Sequence, residues 1–227
     1  MPRGPKFFDV DKLLGGEKSR DQIMLRVRSI RRKLYGLLLV NSGLLVSAES
    51  VADSLYASCA GCHGTGGISH AEHIPTISGL NFQYFYATMQ AYRKDQRPST
   101  VMGRIAKGYR SSKLQRMALY YGSKPWKGVR GEFDEEMANR GKALHDKYCE
   151  KCHEQNGHFQ DSDTPAIAGQ AKGYLYYQMI DYREDSDDLP RPPMMQSRLE
   201  KLSDDDLFAL AEFYASNPSP GDANDRE

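Results

Sequence analysis

The sequence predicts an all-α protein made of two tandem copies of one domain. Three observations lead there. A five-residue cysteine–histidine motif occurs twice, a repeat of about ninety residues carries the motif with it, and no run alternates apolar and polar positions as a half-buried strand would.

The chain has four cysteines, and all of them lie in the motif. The first copy is Cys59-Ala60-Gly61-Cys62-His63 and the second is Cys149-Glu150-Lys151-Cys152-His153. C-x-x-C-H is the attachment signature of haem c. On a helix, positions i and i+3 share a face, so both sulfurs reach the vinyl groups of one porphyrin. The following histidine then supplies the proximal nitrogen to the iron. Candidate covalent attachment residues are therefore Cys59, Cys62, Cys149 and Cys152, and candidate iron ligands are His63 and His153. Three other uses of paired cysteines explain less. A zinc site of two C-x-x-C pairs leaves both histidines idle. Two structural disulfides do the same. Thioredoxin-like chemistry needs a βαβ setting, and neither motif has one. The chain has one Trp and 39% hydrophobic residues, which suits a core partly filled by a cofactor.

Shifting the chain by 90 residues superposes Pro75 on Pro165, Ile77 on Ile167 and Gly79 on Gly169. Tyr84, Tyr86, Tyr92 and Arg93 fall on Tyr174, Tyr176, Tyr182 and Arg183. The C-terminal segments 114–121 and 207–214 match at an offset of 93. This second offset bears on the distal ligand, because a soft second ligand in a c-type centre is Met. Beyond the leader there are seven methionines, at 89, 102, 117, 137, 179, 194 and 195, and most methionines are core filler. At this offset Met102 falls on Met195, each twelve residues before the matching leucine. Met194 remains a close rival in the second half, and His70 and His73 would compete with Met102 only in a bis-histidine centre. His70, His73, His145 and His158 otherwise read as surface or edge residues.

The helices follow from local signals. Segment 132–149 has good helix formers and leads into the second motif. Ser203 followed by Asp204, Asp205 and Asp206 reads as an N-cap and acidic first turn before an amphipathic helix at 207–214. The aromatic-rich segments 81–93 and 172–183 read as helices. Residues 122–131, with Pro125, Gly128 and the single Trp, read as a linker. The organisation expected is a leader at 1–48, a first domain at 49–121, a linker at 122–131, a second domain at 132–216 and a flexible tail at 217–227.

The leader has a basic stretch around residues 26–33, a short apolar stretch at 34–46 and Val46-Ser47-Ala48 at the cleavage position, which reads as a signal peptide cut after Ala48. Residues 1–23 are unusual before such a segment, and Met24 makes the more typical start. The apolar run is short for a membrane span, with an uncleaved anchor as the alternative. The leader carries ten Lys/Arg and four Asp/Glu, so the near-neutral chain has a body of net −5. An acidic body is a poor nucleic-acid binder.

The strings Thr100-Val101-Met102-Gly103-Arg104-Ile105-Ala106-Lys107-Gly108-Tyr109 and Lys142-Ala143-Leu144-His145-Asp146-Lys147-Tyr148-Cys149-Glu150-Lys151-Cys152-His153 resemble the diheme cytochrome subunit of flavocytochrome c sulfide dehydrogenase. The resemblance spans about residues 53–215. Its general part, two haem motifs each followed by Met, is shared with soluble two-domain diheme cytochromes c. It implies two class I cytochrome c domains related by a pseudo-twofold axis, with Met102 and Met195 as distal ligands. It also implies that the carbonyls of Pro75 and Pro165 accept a hydrogen bond from the proximal histidines. Gly141, eight residues before Cys149, matches a close helix crossing. The first domain has Val51 there, so its N-terminal helix is expected to be short or differently packed.

The function implied is a periplasmic electron-transfer subunit with two covalent haem c groups, no catalytic residue of its own and no membrane anchor. A partner subunit would carry FAD and oxidise sulfide; the acceptor would be a soluble protein such as a small cytochrome c. The alternative is a free-standing diheme carrier feeding a terminal oxidase. A diheme peroxidase would need a vacant iron position, against which the paired methionines argue.

Overall fold

The computed structural model describes residues 47–129, 131–184 and 192–218, with side chains from Leu55 onward. The predicted leader, apart from Ser47 and Ala48, the packing of Val51 and the end of the tail lie outside the described residues. The chain divides into two units between Ser54 and Leu55, and the second unit holds both C-x-x-C-H motifs. Among the described residues there is no strand. None of the described helices is long and apolar enough to cross a membrane.

Helix α1 spans Ser47–His63, seventeen residues, and carries the whole first motif. The N-terminal helix is thus not short. Helix α2, Phe82–Arg93, starts where the Asn81 side chain accepts from the Gln83 and Tyr84 amides. These bonds satisfy two of the amides that a helix start leaves free. Helices α3, Met102–Lys107, and α4, Ser111–Gly122, complete the first half. Their buried faces meet in one core of Phe85, Met89, Tyr92, Ala106, Leu114, Met117, Ala118 and Tyr121.

The second half repeats the plan. Helix α5, Glu135–Tyr148, is capped by Asp134 and has Glu135 and Glu136 in its first turn, where acids favour the helix dipole. Helices α6, Lys172–Arg183, and α7, Pro193–Leu199, precede α8, Asp204–Ser216. Ser203 caps α8 in a reciprocal box with Asp206. The second core contains Leu175, Met179, Tyr182, Leu207, Leu210, Ala211 and Tyr214. Each occupies the repeat position of a first-half core residue: Phe85, Met89 and Tyr92 at the 90-residue offset, then Leu114, Met117, Ala118 and Tyr121 at 93. The duplication is therefore a duplication of cores.

Two helices of the second half approach unusually closely. A Cβ on Gly141 of α5 would lie 2.0 Å from the Ala209 carbonyl oxygen of α8. Only glycine permits this crossing. Beneath it Glu212, 2% exposed, accepts from the Asp134 amide and pairs with Lys172 Nζ at 2.9 Å. A buried carboxylate needs such partners to offset its desolvation.

The halves join through main chain. The Gln170 amide bonds both the N–H and the carbonyl of Thr76, at 2.7 and 2.9 Å. Gln160 accepts from the Asn81 amide and donates to the Gly79 carbonyl, at 2.8 and 2.9 Å. The expected linker is part of this joint. Trp126 packs on the first core and donates to the Ala168 carbonyl, and Gly128 lies against Gly169.

Candidate functional site

The thiols of the two motifs are free, with no disulfide among them. In each pair one cysteine is half-buried against its own core, Cys59 on the first and Cys149 on the second, and the other is exposed. Cys59 and Cys62 are one helical turn apart within α1. The second motif differs from its helical expectation. Helix α5 ends at Tyr148, and Cys149 to His153 continue as turns held by bonds from the Cys152 and His153 amides to the Cys149 carbonyl. The i, i+3 relation of the sulfurs survives. Burial pushes the Cys149 thiol up to about 11, unlike the lowered values of redox-active thiols.

His63 and His153 are both buried, at 8% and 7% exposure. His63 Nδ1 lies 2.7 Å from the Pro75 carbonyl oxygen. That oxygen can only accept, so Nδ1 carries the proton and Nε2 keeps its lone pair. Burial holds the His63 imidazole below its ordinary pKa against the upward pull of this carbonyl. Burial, with the nearby His145, lowers His153 to about 4. The Pro165 carbonyl pulls His153 upward, but among the described residues His153 Nδ1 makes no hydrogen bond of normal geometry. Burial thus favours the neutral form of both rings, the form that ligates a metal.

The turn after each motif is also duplicated. Gly67 and Gly157 have φ of +87° and +90° and lie against the rings of Tyr121 and Tyr214. The carbonyl of each glycine accepts two amides from the segment after the proline: Ile77 and Ser78 in one half, Ile167 and Ala168 in the other. This folds the Pro75 and Pro165 segments back beside the histidines. Gly79 and Gly169 then receive the Tyr121 and Tyr214 carbonyls on their amides, at 2.8 and 2.7 Å.

Met102 and Met195 are partly buried against the first and second cores. Met194 is 62% exposed. His70 and His73 are exposed and His158 is half-buried. His145 corrects the sequence reading. It is 0% exposed, with Nδ1 2.9 Å from the Tyr214 hydroxyl and Nε2 bonded to Glu150. It shares the inward face of α5 with Ala138 and Gly141, at the i, i+3, i+7 spacing that marks a buried helix stripe. That spacing was the available signal. Its nitrogens are both engaged, so it is a structural histidine.

Free thiols paired at i, i+3, a neutral imidazole following each pair and a methionine on each core make a donor set that fits covalently attached haem. This set, on two helical domains in tandem, defines a two-domain class I cytochrome c. No protein-family model matches the chain. The cytochrome subunit of sulfide dehydrogenase from Chlorobaculum tepidum is 43% identical over 75 residues, 33% of this chain and 67% of that protein. Cytochrome c4 of Azotobacter vinelandii is 26% identical over 207 residues, covering 78% of this chain and 94% of the relative. The crystal structure of reduced cytochrome c4 from Pseudomonas stutzeri matches with a TM-score of 0.64 at 26% identity, over 74% of this chain and 97% of that one. The chain belongs to the cytochrome c family; its homologues are diheme cytochromes c, and its role is electron transfer.

Proposed function

We propose that this chain accepts electrons from a flavoprotein subunit that oxidises sulfide, and relays them to a soluble acceptor in the periplasm. The observation that carries this reading is the 43% identical stretch shared with the cytochrome subunit of sulfide dehydrogenase. Domains at 49–121 and 132–216 would each hold one haem. Bound haem c supplies one-electron transfer between ferric and ferrous iron. Cys59 and Cys62, and Cys149 and Cys152, would anchor the groups. His63 and His153 would present Nε2. The Pro75 and Pro165 carbonyls would orient these rings by holding or attracting the proton at Nδ1. Met102 and Met195, partly buried against the two cores, would supply the second, soft ligands.

Purification from a native source tests the partner. The expected result is co-elution with a FAD-containing polypeptide, and rapid reduction of the cytochrome when sulfide is added. A cytochrome that elutes without flavin, and that sulfide reduces no faster than buffer controls, overturns the proposal. The second reading is a free-standing diheme carrier. It is favoured by the alignment to cytochrome c4, which runs over nearly the whole relative. It predicts the flavin-free outcome, with full reactivity toward a terminal oxidase.

A further inference from the structure

The two halves share a scaffold but carry opposite charge. Residues 49–121 hold eight Lys/Arg and four Asp/Glu, and residues 132–216 hold nine and nineteen. At the repeat offsets of 90 and 93, Lys94 falls on Glu184, Lys107 on Glu200 and Lys113 on Asp206. Ser111 and Ser112 fall on Asp204 and Asp205. One position escapes this inversion. Val101 precedes Met102 and Met194 precedes Met195, and both are exposed, at 54% and 62%. Each half thus presents an apolar side chain next to its candidate distal ligand, in surroundings of its own sign.

In the first half that residue does not stand alone. The Arg104 and Ile105 amides both bond to the Val101 carbonyl, at 3.0 and 3.2 Å, so the three side chains lie on one side of α3. Ile105 is 40% exposed. Lys94, Arg104, Lys107, Arg110, Lys113 and Arg116 are all exposed. Among the described residues only Lys107 of these six pairs with a carboxylate, Asp95 at 2.7 Å. Arg97 is not part of this surface. Its Nη2 donates across the joint to the Tyr174 hydroxyl and Gln178 Oε1, at 3.2 and 2.8 Å. Cations without counter-charges beside exposed apolar side chains have the make-up of a docking patch. The charge steers a partner in, and the apolar centre is buried on contact.

We infer that the Val101–Arg104–Ile105 side of α3 is the docking surface for an acidic electron-transfer protein. The inference rests on the haem reading above, which places Met102 at the first iron, and it adds the charge of the partner that reaches that haem. A membrane fits less well, because an anionic bilayer drawn to this side would repel the acidic half joined to it. A second copy also fits less well. Pairing basic on acidic faces about a twofold axis would cover the surroundings of both distal methionines in each copy and leave electrons no way in.

The test uses the oxidised holoprotein and, as probe, the hydroquinone of flavodoxin, a small acidic protein, in stopped flow. One electron passes from the hydroquinone to ferric haem, which leaves the flavin semiquinone and ferrous haem. Covalent haem is first counted by the pyridine haemochrome assay. A wild-type count below two overturns the haem reading; with two haems present, the rates bear on the docking surface alone. The wild-type rate constant should fall about tenfold between roughly 10 and 200 mM ionic strength. Arg104→Glu should lower the low-salt rate about three- to tenfold and rejoin wild type at high salt. Lys201→Glu makes the same change in net charge at an exposed position of the second half, and should alter the rate less than about twofold. The uncharged semiquinone of lumiflavin should reduce all three proteins alike, which shows that the haems themselves are unaltered. Equal losses in Arg104→Glu and Lys201→Glu would make the effect one of net charge and overturn the inference, as would a wild-type rate independent of salt. Should Arg104→Glu not fold, Lys113→Glu replaces it with the same expected results. Salt-sensitive dimers in sedimentation velocity, or binding to phosphatidylglycerol vesicles, lost in Arg104→Glu, would give the surface to a second copy or a membrane and also overturn it.

Discussion

Replacing Gly141 by alanine puts two effects of opposite sign in competition. Alanine is the better helix former, worth about 1 kcal/mol over glycine inside a helix. Against this, its Cβ would lie 2.0 Å from the Ala209 carbonyl oxygen and 2.6 Å from the carbonyl carbon. These atoms belong to the backbone of α8 and cannot rotate away. Real Cβ atoms essentially never come closer than 3.0 Å, so α5 and α8 must part by at least about 1 Å. Overpacking of a well-filled core costs about 1–3 kcal/mol. A gap of this width also forfeits about a quarter to a half of the dispersion between the separated surfaces. Those surfaces include Leu144 on α5 and Leu207, Leu210 and Phe213 on α8. The clash therefore wins, with a net loss of about 2 kcal/mol and a melting temperature lower by about 4–8 °C. Thermal unfolding of the oxidised holoprotein, followed by circular dichroism, measures it. Gly173→Ala is the contrast, because its nearest neighbour is the His73 ring, 1.9 Å from the added Cβ but largely exposed and able to swing out. It should cost less than about 1 kcal/mol. A Gly141→Ala protein as stable as the parent would refute the claim that this crossing sets the spacing of the second domain.

Further perturbations address other parts of the molecule. Gln170→Ala removes both bonds to Thr76 and leaves a buried amide and carbonyl unpaired; urea unfolding should show a loss of about 2–4 kcal/mol, and a single unshifted transition would contradict the joint. Ser203→Ala breaks the cap of α8 and should cost about 1 kcal/mol by the same assay. The bond from the Ser203 amide holds the Asp206 carboxyl below its ordinary pKa of 3.8, outweighing burial, with the Ser203 hydroxyl and Arg140 adding to the shift. A lowered folded-state value means that the contribution is complete above the unfolded pKa and is lost as pH falls below 3.8 through the folded one. Asp206→Asn should flatten that part of the stability–pH curve, and an unchanged curve would dismiss the cap as its source. Met195→Ala should abolish the methionine-to-iron charge-transfer band of one ferric haem, while Met194→Ala, at an exposed position, should leave the spectrum intact; the reverse pattern would exchange their roles.

Local signals made most of each half legible. The C-x-x-C-H strings, the Ser203 cap and the offsets of 90 and 93 locate the helices, and even the second core repeats the first position by position. What the sequence hid lies between the halves. Gln160, Gln170, Arg97 and Trp126 have no matching residue in the other copy, since a shift of 90 places His70, Leu80, Asp187 and Ser216 there. A repeat search discards such positions, and no periodicity points to contacts between segments about 80 residues apart. His145 failed for a different reason. Histidine is common at surfaces, and its burial depends on Tyr214 and Glu150, of which Tyr214 lies 69 residues away.

The two glutamines of the joint have a consequence for how the copies can diverge. Gln160 and Gln170 grip the peptide groups of Thr76, Gly79 and Asn81, not their side chains. The second half therefore recognises the path of the first-half loop and is indifferent to most of the residues spelled along it. Surface charge in the first half can drift toward a new redox partner without loosening the union of the two, provided Gly79 keeps its φ of +71°. A first half grafted from a related cytochrome with the same loop path, and with Arg97 and Trp126 retained for their bonds to the second half, should dock without redesign of the second.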